Sequence, residues 1–251
     1  MKLSLSGKNA LVTGGGAGIG QACAVAFARA GANVAICDVN QAGLDQTVAL
    51  LQAEGVSAAG FLCDVSQTDQ VATFFEQAET AIGEIDITLN NAGVAAPLTL
   101  LGDTTEADYE RVMGINLKGT WLCMREALKR MAPKQSGVII NMASAMSKKS
   151  YPGSGFYTTS KFAVAGMTRN TAVEYADKGI RINAICPGNI LTPLLESSVS
   201  EEIRAQLGEA HPMKRLGEVE EVAHCAVFLA SDAASFMTGA LLAVDGGWTA
   251  L

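Results

Sequence analysis

The sequence predicts a single-domain, Rossmann-like α/β fold, a doubly wound parallel sheet of about seven strands with helices on both faces. Short apolar, β-branched runs alternate with longer amphipathic stretches along the 251 residues, which is typical of a parallel sheet covered on both sides. A glycine-rich segment joins the first apolar run to the first amphipathic stretch. The length suits one domain of this class, so we take residues 1–251 as one unit.

The predicted elements follow one another in a regular order. Strands are predicted at residues 9–13, 33–37, around 61, 85–89, 137–142, 180–185 and 240–244. Helices are predicted at residues 21–30, 41–54, 67–82, 109–131, 156–175 and 219–230. Residues 190–214 fit neither pattern and carry a polar face, so we expect a substrate lid there. Ligands bind at the carboxyl ends of the strands in such sheets, so we expect the functional residues directly after the strands.

Composition excludes several classes of protein. A hydrophobic fraction of 49% with 17% charged residues indicates a large core and excludes a disordered chain. The net charge of −7 argues against a partner that is nucleic acid or an anionic membrane surface. No apolar run is long enough to span a bilayer, and the first residues do not resemble a signal peptide.

Cysteine and histidine usage argues against disulfides and metals. The 6 cysteines are scattered, form no C-x-x-C pair and mostly lie in apolar runs, as buried free thiols do. The 2 histidines, His211 and His224, are too few and too far apart for a zinc site. We therefore expect no metal and a reducing, cytoplasmic environment.

The glycine-rich segment predicts a phosphate-binding turn. Gly14 permits a tight turn, Gly18 lets the backbone approach a pyrophosphate, and Gly20 lets the next helix pack on the sheet. The helix that follows would offer free N–H groups to the phosphates. A purely structural turn stays an alternative, because the spacing is G-x-x-x-G-x-G rather than the common dinucleotide fingerprint.

Two aspartates follow the second and third strands. Asp38 stands where the fingerprint needs a carboxylate to accept hydrogen bonds from the adenosine ribose. It would also repel a 2′-phosphate, and residues 37–45 hold no Lys or Arg to offset that, so NAD(H) is favoured over NADP(H). Asp64 and Val65 could contact adenine. For each aspartate, helix capping is the structural alternative.

Tyr157 and Lys161 are the candidate acid–base pair. Their i, i+4 spacing places both on one face of a predicted helix. A tyrosine pKa near 10 makes a poor base at neutral pH, and a nearby ammonium would lower it. Tyr157 could then take a proton from an alcohol or donate one to a ketone.

Two further polar residues are weaker candidates by themselves. Ser144 follows a strand and could hydrogen-bond a substrate oxygen, although a loop serine is more often a cap. Asn116 lies between glycines in a predicted helix, where asparagine is a mediocre helix former. It could hold a water that links Lys161 to solvent, or simply satisfy neighbouring backbone groups.

Together these residues resemble the short-chain dehydrogenase/reductase family over residues 7–247. The motifs stand in the family's order, which is Thr13-Gly14 to Gly20, Asp38, Asp64-Val65, Asn90-Asn91-Ala92-Gly93, Asn116, Ser144, Tyr157-x-x-x-Lys161, Pro187-Gly188 and Val244-Asp245-Gly246-Gly247. Ala143 stands where many relatives have a second serine, a departure that leaves the other motifs intact.

The resemblance implies a catalytic tetrad and a cofactor site. The tetrad would be Asn116, Ser144, Tyr157 and Lys161, with Tyr157 as acid/base, and Lys161 binding the nicotinamide ribose and lowering the pKa of Tyr157. Cofactor contacts would come from Gly14, Gly18, Ile19, Gly20, Asp38, Asp64, Val65, Asn91, Gly93, Tyr157, Lys161, Pro187, Gly188, Ile190 and Thr192. The resemblance also implies a homotetramer, formed through the helices that contain Asn116 and Tyr157.

The predicted substrate is a small uncharged ketone or secondary alcohol. The candidate pocket walls are mostly small or apolar, namely Val94, Ala95, Ala96, Pro97, Leu98, Ala145, Met146, Tyr151, Leu194 and Leu195. No arginine cluster accompanies them. The sequence thus favours an NAD(H)-dependent oxidoreductase that interconverts a secondary alcohol and a ketone. A 3-oxoacyl carrier-protein reductase and a non-enzymatic, dinucleotide-sensing subunit are the alternatives.

Overall fold

The computed structural model describes residues 3–96 and 98–251, without the side chains of Leu194 and Ser198. Seven parallel strands form the main sheet, namely β1 (Asn9–Thr13), β2 (Asn33–Asp38), β3 (Ala58–Leu62), β4 (Ile87–Asn90), β5 (Gly137–Met142), β6 (Ile180–Pro187) and β9 (Leu241–Val244). Their order in the sheet is β3-β2-β1-β4-β5-β6-β9. This sheet confirms the predicted single-domain fold class. Its strands are continuous apolar runs, which need cover on both faces.

Helices cover both faces of this sheet. They are α1 (Gly18–Arg29), α2 (Gln41–Ala53), α3 (Thr68–Ile82), α4 (Glu106–Met113), α5 (Thr120–Lys134), α6 (Gly155–Tyr175), α7 (Pro193–Ser198), α8 (Glu201–Glu209) and α9 (Val219–Ala230). Side chains of α1, α2 and α9 pack in one apolar core, and side chains of α3 and α5 pack in another. The two cores bury opposite sides of the strands, as the alternation of elements predicts.

The strand order reverses between β1 and β4. The chain adds β2 and β3 on one side of β1 and then crosses to add β4, β5, β6 and β9 on the other side. In open parallel sheets, this reversal leaves a crevice at the carboxyl ends of the central strands. The segments that follow β1, β4, β5 and β6 therefore share one edge of the sheet.

The predicted helix at residues 109–131 is longer than expected and is interrupted. It comprises α4, a π-helical turn at Gly114–Gly119, and α5, which ends at Lys134. The N-terminus was missed because Thr105 and Asp108 form a capping box ahead of the apolar pattern. The π-helical turn coincides with Asn116 and its flanking glycines, where the sequence predicts a weak helix.

Residues 192–216, which we call the lid segment, lie in the stretch between β6 and β9 and overlap the predicted lid at residues 190–214. A two-stranded parallel sheet of β7 (Ile190–Leu191) and β8 (Gly217–Glu218) closes its base. α7 and α8 lie within the segment. The sequence indicates a polar, partly helical segment here but gives the bounds of neither helix, since both are short.

Three negative findings hold for the described residues. No helix among them is long and apolar enough to cross a membrane. The six cysteines are free thiols, and five of them are buried. No group of three or more side chains of the metal-ligating types lies together in the part of the chain that the structure describes.

Candidate active site

The glycine-rich turn after β1 is packed closely against its neighbours. Gly14 has a φ of +64°, which favours glycine, and a Cβ there would lie 2.9 Å from the Ala92 Cα. A Cβ at Gly20 would collide with the Gly14 carbonyl oxygen. Gly18 has a φ of +54° and more room, because a Cβ there would lie 3.6 Å from Thr192. The turn is therefore fixed by contacts of its own backbone and stays open at Gly18, where α1 begins.

Thr13 and Asn91 connect the glycine-rich turn to the loop after β4. The Asn91 side chain donates hydrogen bonds to the carbonyls of Thr13 and Gly14 at 3.0 and 3.1 Å. The Thr13 hydroxyl accepts the N–H groups of Asn91 and Ala92, each at 3.0 Å. Asn91 thus holds the two loops together, which is a structural task beside its predicted cofactor role.

Asp38 ends β2 beside the glycine-rich turn. Its carboxylate accepts the N–H of Gly16 at 3.0 Å and that of Asn40 at 3.1 Å. The N-cap of α2 is Asn40, whose side chain accepts the Gly43 N–H at 3.2 Å. The capping alternative for Asp38 is therefore wrong. Its carboxylate is half-buried and lies at the turn, where the cofactor hypothesis needs it.

Asp64 and Val65 follow β3 at the same edge. The Asp64 carboxylate accepts the Ser66 N–H at 2.9 Å, and the N-cap of α3 is Gln67 rather than Asp64. Val65 is buried, and a Cβ at Gly119 would lie 2.7 Å from its side chain. Val65 therefore packs against the π-helical turn, which brings the end of β3 to the region of Asn116.

Tyr157 lies in the first turn of α6 and faces Ser144. Burial raises the pKa of Tyr157, and its hydrogen bond with the Ser144 side chain lowers that pKa in part. The net shift comes from burial and Ser144, so the lowering of this pKa by Lys161 stays a prediction. Ser144 also caps the short turn after β5, because its hydroxyl accepts the Met146 N–H at 3.1 Å. Ser144 is thus both a cap and a partner of Tyr157.

Lys161 is a buried cation one helical turn from Tyr157. Its Nζ lies 5.7 Å from the centroid of the Tyr157 ring and donates a hydrogen bond to the Met142 carbonyl at 2.8 Å. Only 5% of Lys161 is exposed, and burial lowers its pKa to about 8. The ammonium is thus held in place at a large desolvation cost.

Asn116 is fully buried beside the loop after β4. Its amide accepts the Val94 N–H at 2.8 Å and donates to the Val94 carbonyl at 2.9 Å. The same amide donates to the Ser160 hydroxyl at 3.2 Å. A Cβ at Gly93 would lie 3.3 Å from the Asn116 Oδ1 and 3.6 Å from the Lys161 Nζ. The side chain therefore satisfies neighbouring polar groups, and a water-holding role stays a prediction.

The segment after β6 reaches back over the glycine-rich turn. Pro187 is the last residue of β6, and the N–H of Gly188 bonds the Val244 carbonyl at 3.0 Å. Ile190 is buried in β7, whereas Thr192 caps α7 by accepting the Leu195 N–H at 3.2 Å. Thr192 is also the residue nearest to the open side of Gly18.

The predicted pocket walls lie on three loops. Ala95 and Tyr151 are exposed, whereas Ala96, Met146 and Leu195 are half-buried. Pro97 and the Leu194 side chain lie outside the described residues. The first two loops are joined, since the Thr99 N–H bonds the Gly153 carbonyl at 2.9 Å.

The basic side chains near these loops are engaged with carbonyl groups. Arg111 donates to the Ala95 carbonyl at 3.1 Å. Lys148 and Lys149, which the sequence offers as contacts to a charged substrate, donate to the carbonyls of Leu241 and Trp248 at 3.3 and 3.1 Å. None of the three therefore points to a substrate carboxylate.

The residues present fit a nicotinamide dinucleotide. Within the described chain, the N-cap of α1 is Ala17, no side chain caps the helix, and its first turn holds no acidic residue. Such an N-terminus presents unpaired N–H groups and partial positive charge to phosphates. Any side chain at Gly93 would fill the space over Asn116 and Lys161. Asp38 supplies a carboxylate for ribose hydroxyls.

Sequence patterns missed several residues that build this site. Thr13, Ser160 and the Met142 carbonyl position Asn91, Asn116 and Lys161. His211, which the sequence offers only as a poor metal ligand, accepts the N–H of Asn189 in the segment after β6. The sequence holds one signal for such positioning residues, which is a polar residue within an apolar run, as at Thr13. The other contacts join residues far apart in the sequence.

Known proteins resemble the chain over almost its whole length. A family profile described as "Enoyl-(Acyl carrier protein) reductase" matches residues 14–249. A 2,5-dichloro-2,5-cyclohexadiene-1,4-diol dehydrogenase from Sphingobium indicum is 40% identical over 250 residues, which cover 98% of this chain and 99% of that protein. A cis-4-hydroxycyclohexanecarboxylate dehydrogenase from Sinomonas cyclohexanicum is 41% identical over 242 residues, 96% of each chain.

A solved structure shares the fold at similar sequence identity. The solved structure is a chain from Agrobacterium tumefaciens with bound NADP, and it is 36% identical to the present chain with a TM-score of 0.91. The match covers 100% of the present chain and 99% of the solved one. Sequence and structure comparisons therefore indicate the same family.

Proposed function

The chain belongs to the short-chain dehydrogenase/reductase family, and from this premise we propose that it is an NAD(H)-dependent oxidoreductase that interconverts a secondary alcohol and a ketone. One observation carries the proposal. Ser144, Tyr157 and Lys161 converge beside Gly93 at the edge of the sheet where the glycine-rich turn begins α1. A hydroxyl, a phenol and an ammonium at that place can bind and protonate one substrate oxygen.

Tyr157 moves the proton in this proposal. In oxidation the alcohol O–H proton passes to the phenolate oxygen of Tyr157, and in reduction the Tyr157 O–H donates to the ketone oxygen. The chemistry that a nicotinamide cofactor would supply at this site is hydride transfer to or from the substrate carbon. Ser144 uses a lone pair to accept the Met146 N–H, and its single O–H, hydrogen-bonded with Tyr157 in the free chain, would turn to the substrate oxygen as charge develops.

Lys161 is proposed to bind the cofactor ribose and to place a positive charge in the site. Its ammonium has three N–H donors and gives one to the Met142 carbonyl, so two can reach ribose hydroxyls.

Burial raises the pKa of Tyr157, which keeps the phenol protonated and suits it to ketone reduction at neutral pH. Alcohol oxidation needs the phenolate, so its rate should increase with pH.

The proposed cofactor is NAD(H). Asp38 places a carboxylate beside Gly16, where a 2′-phosphate would meet like charge. Residues 37–45 hold no Lys or Arg that could pair with that phosphate. Because a relative has bound NADP, the preference needs a direct comparison of NADH with NADPH.

The proposed substrate class is an uncharged alicyclic secondary alcohol and its ketone. Two relatives carry cyclohexadiene and cyclohexane rings in their substrate names, and one of those substrates is a carboxylate. The pocket walls of this chain are mostly apolar, and Arg111, Lys148 and Lys149 are bonded to carbonyl groups. An uncharged ring suits these walls better than a carboxylate does.

Two further proposals concern shape and assembly. The lid segment would cover the substrate, because it begins at Thr192 over the open side of Gly18. A homotetramer would form through the helices that contain Asn116 and Tyr157. Apolar Trp121 on α5 and Phe162 on α6 are 46% and 45% exposed in the single chain, which supports that assembly.

Reduction of the 3-oxo group of an acyl chain on a carrier protein is the second candidate function. The description of the matching family profile also names an acyl carrier protein, although the group reduced there is an enoyl group. The net charge of −7 and Asp38 oppose it, because a carrier protein is acidic and such reductases normally use NADPH. A third candidate, a dinucleotide sensor without catalysis, has no need for Ser144 beside Tyr157.

A turnover screen with Tyr157→Phe tests the proposal. Purified chain should oxidise cyclohexanol-type alcohols with NAD+, faster as pH increases, and should prefer them to 4-hydroxycyclohexanecarboxylate and to 3-oxoacyl thioesters. Tyr157→Phe should reduce kcat by about 10³-fold or more with NADH binding retained. The control is Tyr175→Phe, at the C-terminal end of the same helix α6. Turnover of thioesters alone would support the carrier-protein function, and full activity of Tyr157→Phe would contradict both enzymatic candidates.

A further inference from the structure

His211 lies where three segments meet at the base of the lid segment. It follows α8, it contacts the segment after β6, and it packs against the C-terminal segment around Trp248. Only 2% of the residue is exposed. Its ring centroid lies 5.2 Å from that of Trp248.

Both ring nitrogens of His211 bond backbone groups on different segments. Nε2 accepts the N–H of Asn189 at 3.1 Å, and Nδ1 lies 2.9 Å from the Leu207 carbonyl. A backbone N–H can only donate and a carbonyl can only accept. The partners therefore assign the neutral tautomer with its proton on Nδ1. One imidazole links the C-terminal end of α8 to the residue before β7.

The ring sits against Gly188 with no room for a side chain. A Cβ at Gly188 would lie 2.7 Å from the His211 Nε2, and one at Gly246 would lie 3.4 Å from the His211 Cβ. The Asn189 carbonyl accepts the Gly217 N–H at 3.0 Å. Both peptide groups of Asn189 are therefore held, its N–H by His211 and its carbonyl by β8, immediately before Ile190 and Thr192.

We propose that His211 is a positioning residue that fixes the segment from Gly188 to Ile190 to the base of the lid segment, so that the cofactor contacts and the lid are set together. This inference rests on the proposed function, in which that segment contacts the nicotinamide. Nε2 serves the cofactor side through Asn189, and Nδ1 serves the lid side through Leu207. The two nitrogens have separable tasks.

Two substitutions separate these tasks. His211→Gln offers an amide oxygen near the position of Nε2, which can accept the Asn189 N–H but does not reproduce the Nδ1 donor. His211→Asn offers an amide N–H near the position of Nδ1, which can donate to the Leu207 carbonyl but leaves the Asn189 N–H without its acceptor. The matched control is His224→Asn, at the exposed histidine on α9.

Four measurements are made on each full-length variant. They are the melting temperature without cofactor, the Kd for NADH from its fluorescence, amide hydrogen exchange in peptides that cover residues 188–191 and 201–210, and steady-state kinetics. Hydrogen exchange needs no cofactor, so it tests the two contacts even if the proposed cofactor is wrong. Steady-state kinetics then separate KM for the alcohol from kcat.

The expected pattern is a split between the two variants. His211→Asn should weaken NADH binding about tenfold, the effect of one lost buried hydrogen bond, and speed exchange in residues 188–191. His211→Gln should keep the Kd within about twofold and speed exchange in residues 201–210, with a higher KM for the alcohol. His224→Asn should match the wild type.

Several outcomes would overturn the proposal. Equal NADH affinity and equal exchange in both His211 variants would show that the ring positions nothing. A common fall in melting temperature with no split between the variants would assign His211 a purely structural role. If the wild type binds neither NADH nor NADPH, the proposed function fails, while the exchange pattern still decides whether His211 joins the two segments.

Discussion

Two rims of the crevice are built in different ways. We call residues 13–20 with Asn91 the glycine-rich rim, and its Gly18 lies beside Thr192, where the lid segment begins. The glycine-rich rim follows β1, whose last four residues are buried, and its backbone is packed so closely at Gly14 and Gly20 that a side chain at either position would collide. The lid segment carries two short helices and is closed at its base by a two-residue pairing and by His211. Because dense backbone contacts fix the first rim, substitutions there should lower stability and cofactor binding. In the lid segment, substitutions at positions other than Thr192 and His211 should mainly change substrate affinity.

Gly20→Ala should give the largest effect. The new Cβ would collide with the Gly14 carbonyl oxygen, and backbone cannot move aside as a flexible side chain does. We expect a loss of about 3 kcal/mol in the free energy of unfolding and no detectable NADH binding. Urea denaturation and NADH fluorescence provide the measurements. The control is Gly102→Ala, since a Cβ at Gly102 has nothing within 4 Å. Equal stability of the two variants would refute the contrast between the rims.

Lys161→Met should stabilise the protein and abolish activity. Burial lowers the pKa of Lys161 from 10.5 to about 8, so the unfolded chain binds more protons between these pH values. The cost of burying the ammonium is full below pH 8 and disappears as pH increases towards 10.5. At pH 7 the variant should gain about 2 kcal/mol, after allowance for the lost Met142 hydrogen bond.

Urea denaturation at several pH values tests this expectation. The difference in the free energy of unfolding between Lys161→Met and the wild type should narrow from pH 8 to pH 10. Over this range Lys161 becomes neutral in the folded chain, so burying it costs less free energy. Lys118→Met, at an exposed lysine of the π-helical turn, is the control. A gap that widens with pH, or a variant less stable than wild type at pH 7, would contradict the account.

Asp38→Asn should change the cofactor preference without unfolding the chain. The amide removes the negative charge that opposes a 2′-phosphate, although it cannot accept both the Gly16 and Asn40 N–H groups. The ratio of kcat/KM for NADH to that for NADPH should fall about tenfold. Asp45→Asn on α2 serves as the control. An unchanged ratio would remove Asp38 from cofactor choice.

Leu195→Ala should give the smallest effect on stability. The side chain is half-buried on α7 in the lid segment, so we expect a change below about 1 kcal/mol in the free energy of unfolding. KM for an alicyclic alcohol should increase about fivefold while kcat changes little, because contact with an apolar substrate is lost. Leu62→Ala, at an exposed position on β3, is the control. A large loss of stability would mean that the lid segment is as rigid as the glycine-rich rim.

The sequence by itself determined the order of strands and helices and the residues at the carboxyl edge. Apolar runs predicted β1, β5 and the start of β6 closely, because buried parallel strands leave a periodic record along the chain. The i, i+4 spacing predicted that Tyr157 and Lys161 share one helix face, and the structure puts the Lys161 Nζ 5.7 Å from the Tyr157 ring.

Only the tertiary structure decided how those residues are held. It placed Val94 against Asn116, Asn91 against Thr13 and Asn189 against His211, pairs that are separated in sequence and joined by packing. It also determined that burial outweighs other influences on the pKa of Tyr157. Periodicity records whether a side chain faces a core, whereas a hydrogen bond or a desolvation cost depends on which distant segment arrives there.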